Sequence, residues 1–306
     1  MAPLLLCAAG LTVCYRAKLW NIGAEGHFLM GALGTSVVAL QLLDTEGFWV
    51  LPLVLLAGVV AGAVWAALAA GLKTHLHCNE ILTTIMLNYI ALNLLLYAVH
   101  GPLIDPFGFG FPQSVMFADS ALLPMLLPGT RLHLGLAFGL LAAVAVWVMF
   151  TRTLVGFQLN VLGQDARAAA FAGFGARRLT WFAFLVAGGL AGLAGASEVT
   201  GPIGQLVPQV SPGYGYTAII VVFLGRMHAL GIIAASALLA LTYMGGEFLQ
   251  IAMNMPKAVT GLFQGLLLFY LLTCDAFIHY RIRLKRPLKT ILGITKPTPQ
   301  TSVQEL

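Results

Sequence analysis

Nine apolar runs follow one another along this chain, at about 1–13, 26–43, 48–72, 81–99, 132–151, 179–200, 214–225, 229–248 and 258–274. Inside a bilayer, backbone N–H and C=O groups have no water to bind, so spans of this kind must be helical. The expected fold class is therefore all-α, a polytopic membrane helix bundle of about nine spans. The charge count supports it: 9% of residues are charged and 59% hydrophobic, where a soluble domain carries about 25% charged residues. A soluble enzyme, a disordered chain and a free nucleic-acid binder are all excluded. The seventh run is short and opens at Pro212-Gly213-Tyr214-Gly215-Tyr216, which predicts a broken or re-entrant helix.

The net charge of +5 and the sequence pI of about 9.1 find their use in topology. With the C-terminus in the cytoplasm, nine crossings place the N-terminus outside. Every Lys and Arg except Arg131 and Lys257 then falls on the cytoplasmic side, while Asp44, Glu46, Asp105 and Asp119 lie outside. This is the positive-inside pattern, and one misplaced span would scramble it. The domain reading is a transmembrane domain over 1–275, with an inner segment at 152–178, and a basic cytoplasmic tail over 276–306. The outer loop 100–131, rich in Pro, Gly and Phe, predicts a folded cap or docking surface. Small residues recur at four-residue spacing in Gly58/Gly62, Gly188/Gly192 and Gly261/Gly265, a pattern that lets membrane helices approach closely.

Catalytic signatures are absent: no H-E-x-x-H, G-x-S-x-G or Walker A sequence occurs. His75 and His77 lack further ligands for a metal, and Cys7, Cys14, Cys78 and Cys274 read as small packing residues. No cofactor is expected, and any ATP site belongs to another chain. The informative residues are polar ones in apolar spans, since each is costly unless satisfied. Asn21-Ile22-Gly23-Ala24-Glu25-Gly26-His27 opens the second span. There Asn21 could cap the helix and Glu25 lies near the positive end of its dipole; an ordinary interfacial helix start is the alternative. Glu80, Thr83, Thr84 and Asn88 share an arc of about 140° on one helix face, a stripe needing partner helices or a wet pathway. Glu198 and Glu247 sit at outer ends of spans, in the pathway or simply in the headgroup zone. Between two spans, Gly156 to Phe174 is an alanine-rich stretch flanked by glycines, predicting a small, smooth, protruding helix suited to a partner's groove; a plain connector is the alternative.

These elements, in this order, resemble the permease subunits of bacterial ABC importers for simple sugars, nucleosides and branched-chain amino acids. Trp20-Asn21-Ile22-Gly23-Ala24-Glu25-Gly26 and the Asn79–Ala91 stretch, beginning Asn79-Glu80-Ile81, are most similar to the nucleoside subgroup. The resemblance runs from Pro3 to about Asp275. It implies that Gly163, Asp165, Ala169, Ala170 and Gly173 belong to the loop that docks on the ATPase, although Asp165 stands where the family usually has Asn. His27 likewise stands where Gln is usual. Family members usually carry one more span ahead of Pro3, ten in all, so this chain is expected to be short at its N-terminus.

The resemblance implies a multi-pass protein of the bacterial inner membrane that is not itself an enzyme. Its partners would be a cytoplasmic ABC ATPase that binds the ATP, a second related permease and an external substrate-binding lipoprotein. The lipid bilayer surrounds it and no nucleic acid is involved. Nucleoside import is the leading expectation, with Asn21, Glu25, Glu80, Thr83, Thr84, Asn88 and Glu198 as pathway candidates. Simple-sugar import is the alternative. A proton-coupled secondary transporter, with Glu25, Glu80 or Glu198 as relay, is the rival from another class; no inverted repeat supports it.

Overall fold

A computed structural model of the chain describes residues 1–108, 110–125, 132–253, 256 and 258–279. Its elements in order are α1 (Ala2–Arg16), α2 (Ala24–Gln41), α3 (Val50–Leu76), α4 (Glu80–His100), α5 (Gly135–Arg152), α6 (Leu154–Gln164), α7 (Ala166–Phe171), α8 (Ala176–Glu198), α9 (Tyr214–Leu224), α10 (Ala229–Met253) and α11 (Ala258–His279). No strand occurs among the described residues; one isolated antiparallel bridge joins Met125 and His133. Each of the nine expected runs holds a helix. Five of these helices, α3, α4, α5, α8 with the turn after it, and α10, are long and apolar enough to cross a bilayer. The remaining runs hold shorter, less apolar or only partly described helices, so nine spans is an approximate count.

The chain divides into two units, Met1–Gln264 and Gly265–Leu306. Of the second, the described part is the remainder of α11. Residues 280–306, most of the tail expected at 276–306, lie outside the described residues, as do Arg131 and Lys257.

Within the first unit α1 is surrounded: every residue from Ala2 to Tyr15 is buried. A helix that is apolar all round belongs inside a bundle. The small-residue pairs explain how its neighbours come so close. A Cβ at Gly62 would stand 2.7 Å from the Gly192 Cα, and one at Gly10 would stand 2.9 Å from the Ala187 Cα. Gly188 likewise meets Ala66 and the Gly62 carbonyl. So Gly58/Gly62 and Gly188/Gly192 face each other across α3 and α8. The third pair differs: Gly261 and Gly265 have no described atom within 4 Å of a Cβ position.

One end of the bundle gathers basic residues. Lys73, at the end of α3, pairs with Glu80, at the start of α4, at 2.5 Å. The Arg16 guanidinium lies 4.5 Å over the Phe150 ring, and Arg177 hydrogen-bonds His75. At the other end the loop after α4 is folded against the turn after α8. Ser114 N–H donates to the Leu206 carbonyl (2.9 Å), Phe117 N–H to Gly204 (2.9 Å) and Leu123 N–H to Thr200 (2.8 Å). Phe107 and Phe111 project outward from this cap.

Candidate functional site

The polar residues of the second, fourth and seventh runs converge on one place. α9 has eleven residues, about 16 Å of helix, against a hydrocarbon core of about 30 Å. It therefore starts partway through the bundle, as its Pro-Gly opening predicts. Gly213, in the left-handed region at φ +99°, turns the chain into it. Gly215 then lets its backbone touch α2, where a Cβ would stand 2.5 Å from the Glu25 Cα. The Glu25 carboxylate accepts the Gly215 N–H at 2.7 Å, with Ser211 and the Tyr216 N–H also in reach. A carboxyl side chain thus caps the first turn of a broken helix, where the amides have no partner within the helix.

α4 holds the other side of this junction. Asn88 lies eight residues into the helix, about 12 Å from its start. Its Oδ1 accepts the Gly26 N–H (2.9 Å), and its Nδ2 donates to the Ile22 carbonyl (2.9 Å) and the Tyr216 hydroxyl (3.2 Å). Thr84 Oγ1 accepts the Ile22 N–H at 3.2 Å. Asn21 is buried; its Oδ1 accepts the Gly23 N–H (2.8 Å), and the Tyr15 hydroxyl donates to its carbonyl (2.9 Å). It braces the turn ahead of α2, whose N-cap position is Gly23. Residues 17–23 are unwound backbone, and these side chains satisfy the amides and carbonyls that a helix would have paired.

The sequence candidates therefore separate. Asn21, Glu25, Thr84 and Asn88 are brought together and buried, each occupied with backbone. Thr83 bonds the Asn79 and Glu80 carbonyls of its own turn, and Glu80 is in the ion pair with Lys73. Glu198, at the end of α8, lies 3.5 Å from the Tyr214 hydroxyl. Tyr214 packs edge-on against Phe28 and Tyr243, and the Tyr243 hydroxyl is 2.7 Å from Thr217 Oγ1.

A second set of residues escaped sequence reasoning. On α4, Met86, Tyr89, Ile90, Asn93 and Tyr97 lie within about 100° of one another. All are exposed, Tyr89 at 58% and Tyr97 at 72%. Tyr216 of α9, exposed at 42%, meets α4 next to this set, its hydroxyl accepting from Asn88 Nδ2. The sequence signal is Tyr89 and Asn93 at four-residue spacing, on a different flank of the helix from Glu80, Thr83, Thr84 and Asn88.

The segment between α5 and α8 is two helices. Asp165 ends α6 and caps α7, its Oδ1 accepting the Arg167 N–H at 2.8 Å. Gly163 packs against the Arg16 carbonyl at the end of α1, Ala169 is buried, and Ala170 and Phe171 are exposed. Gly173, at φ +76°, ends α7. Among the described residues no group of three His, Cys, Asp or Glu side chains could hold a metal.

The family model for the branched-chain amino acid transport system permease component matches residues 1–272. The glucose ABC transporter permease protein TsgB13 of Haloferax volcanii is 36% identical over 92% of this chain and 76% of its own length. The guanosine ABC transporter permease protein NupP of Bacillus subtilis is 30% identical over 94% of this chain and 82% of its own. The nucleoside ABC transporter permease protein NupB of Lactococcus lactis is 30% identical over 80% and 70%. No solved structure matches. With a family match over nearly its whole length, the chain belongs to the permease components of ABC transporters, multi-pass membrane subunits that leave ATP hydrolysis to a separate subunit.

Proposed function

We propose that this permease imports nucleosides across a bacterial inner membrane, through a path that runs along the Tyr89–Asn93–Tyr97 face of α4 and Tyr216. The carrying observation is that this face is polar and aromatic, yet the chain itself leaves it uncovered. Asn93 donates to the Tyr89 carbonyl of its own helix, which leaves its Oδ1 seeking a donor. Such a face is poorly matched to lipid and well matched to a wet path walled by a second, related permease. Tyrosine rings supply flat surfaces for a nucleobase and hydroxyls for a ribose. Asn21, Glu25, Thr84 and Asn88 stand behind that wall and hold its backbone in shape; Glu80, Thr83 and Glu198 flank it.

ATP-driven closure of a cytoplasmic ATPase reaches the wall through the 163–173 segment. Asp165 fixes the break between α6 and α7, Gly163 seats α6 under α1, and Gly173 turns the chain back towards α8. Ala170 and Phe171 face outward as the contact, and Ala169 keys α7 to the permease. An external substrate-binding lipoprotein delivers the solute to the folded cap. Simple-sugar import is the second reading, favoured by the 36% identity to a glucose permease; sugar rings also stack on tyrosine.

The test is uptake by the reconstituted transporter, with radiolabelled guanosine, uridine and glucose in parallel. Nucleoside uptake is expected and glucose uptake is not; the reverse selects the sugar reading. Tyr89→Ala should lower uptake about two- to tenfold at unchanged folded yield. Unchanged uptake removes the α4 face from the path.

A further inference from the structure

A groove of about 520 Å³ opens on the flank of the bundle near its cytoplasmic end. Leu68, Gly71, Leu72 and Leu76 of α3 form one wall, Leu87 of α4 the other, and Trp181 of α8 the floor. From Leu68 to Leu76 the wall runs about 12 Å, most of the ~15 Å depth of one leaflet's hydrocarbon. Trp181 turns its one polar atom away, its indole N–H donating to Thr74 Oγ1 at 2.9 Å. The slot is thus apolar along its length.

Its mouth is basic. His75 lies at the rim, edge-on to Trp181 with centroids 6.5 Å apart, and the exposed Arg177 guanidinium bonds its ring. Arg178 follows, also exposed. The ion pair at this end uses Lys73, which points to another side of α3, and Glu80. Arg177 is therefore held by an imidazole ring rather than by a carboxylate, with its charge available to an anion. A planar guanidinium binds a phosphate through two parallel hydrogen bonds, and the cytoplasmic leaflet is where anionic headgroups meet basic residues. Leu87 lies about 120° round α4 from Asn93, so the groove is apart from the face assigned to the second permease.

We propose that this groove binds an anionic phospholipid of the cytoplasmic leaflet, its hydrocarbon along Leu68–Leu76 and its phosphate on Arg177. Bound there, the lipid ties the end of α3 to the start of α8, a few residues beyond α7. The inference is independent of which solute is carried.

The full chain in nanodiscs of palmitoyl-oleoyl phosphatidylglycerol should melt about 2–4 °C higher than in the phosphatidylcholine equivalent. Native mass spectrometry after detergent extraction should find phosphatidylglycerol retained. Gly71→Leu fills the slot; a Cβ there meets Trp181 at an ordinary 3.8 Å, so the fold accepts it. This variant should lose the retained lipid and the melting shift. Arg177→Gln should keep lipid but lose the preference for phosphatidylglycerol over phosphatidylcholine. If Gly71→Leu does not fold, Arg177→Gln alone decides. Equal stabilisation by both lipids in the unsubstituted chain overturns the proposal, as does an undiminished preference in Arg177→Gln. So does a Gly71→Leu variant that keeps its lipid and changes oligomeric size, which would assign the groove to a protein partner.

Discussion

Around α1, α2 and α8 the chain packs backbone against backbone, whereas α4 and α10 turn most of their length outward. Two thirds of the α8 span is buried, against 28% of the α4 span. In the packed region polar side chains are spent on structure: Thr12, Ser36 and Thr200 each donate to the carbonyl four residues back, and Glu25 caps α9. On α4 the two uses sit on one helix. Thr84 and Asn88 face in and hold backbone; Tyr89, Asn93 and Tyr97 face out. A polar residue in a membrane span is thus a poor guide to the solute path until its partners are known.

Three substitutions would break or sharpen this contrast. The largest effect belongs to Gly192→Leu. Gly192 lies against Gly31 of α2 and Gly62 of α3, with backbone rather than flexible side chains in the way. The cost should be at least about 3 kcal/mol, seen as loss of the monodisperse peak in size-exclusion chromatography. A well-folded Gly192→Leu protein would mean that the packed region is looser than described.

Asn88→Leu comes next. It strands the Gly26 N–H and the Ile22 carbonyl inside the bundle, at about 1–3 kcal/mol. Folded yield and uptake should therefore fall together. Uptake falling alone would transfer Asn88 from the brace to the path.

Thr83→Val should do least, within about 0.5 kcal/mol, because its hydroxyl bonds carbonyls of its own helical turn. Thermal melting checks this, and a large loss of stability would show a partner for Thr83 across the bundle.

Much of this architecture was legible in the residues themselves. Helical spans followed from apolar length, because a bilayer leaves the backbone no other way to pair. The break before α9 followed from Pro212-Gly213. The common face of Glu80, Thr83, Thr84 and Asn88 followed from helical periodicity. The alanine-rich segment was placed correctly between spans, but one smooth helix was expected where Asp165 divides two. An Asp that bonds the amide two residues on competes with helix continuation, and alanine content conceals that.

What sequence did not contain was pairing. Glu25 meets Gly215 across 190 positions and Asn88 meets Gly26 across 62, and no periodicity links residues on different helices. Spacing likewise equated Gly58/Gly62 with Gly261/Gly265, although among the described residues a partner backbone is seen only against the first. Hydropathy and charge are properties of each segment in its solvent, so the chain carries them wherever it is read. Whether a buried carboxylate is a cap, a glue or a ligand depends on which amide arrives opposite it, and only the packed bundle brings that amide there.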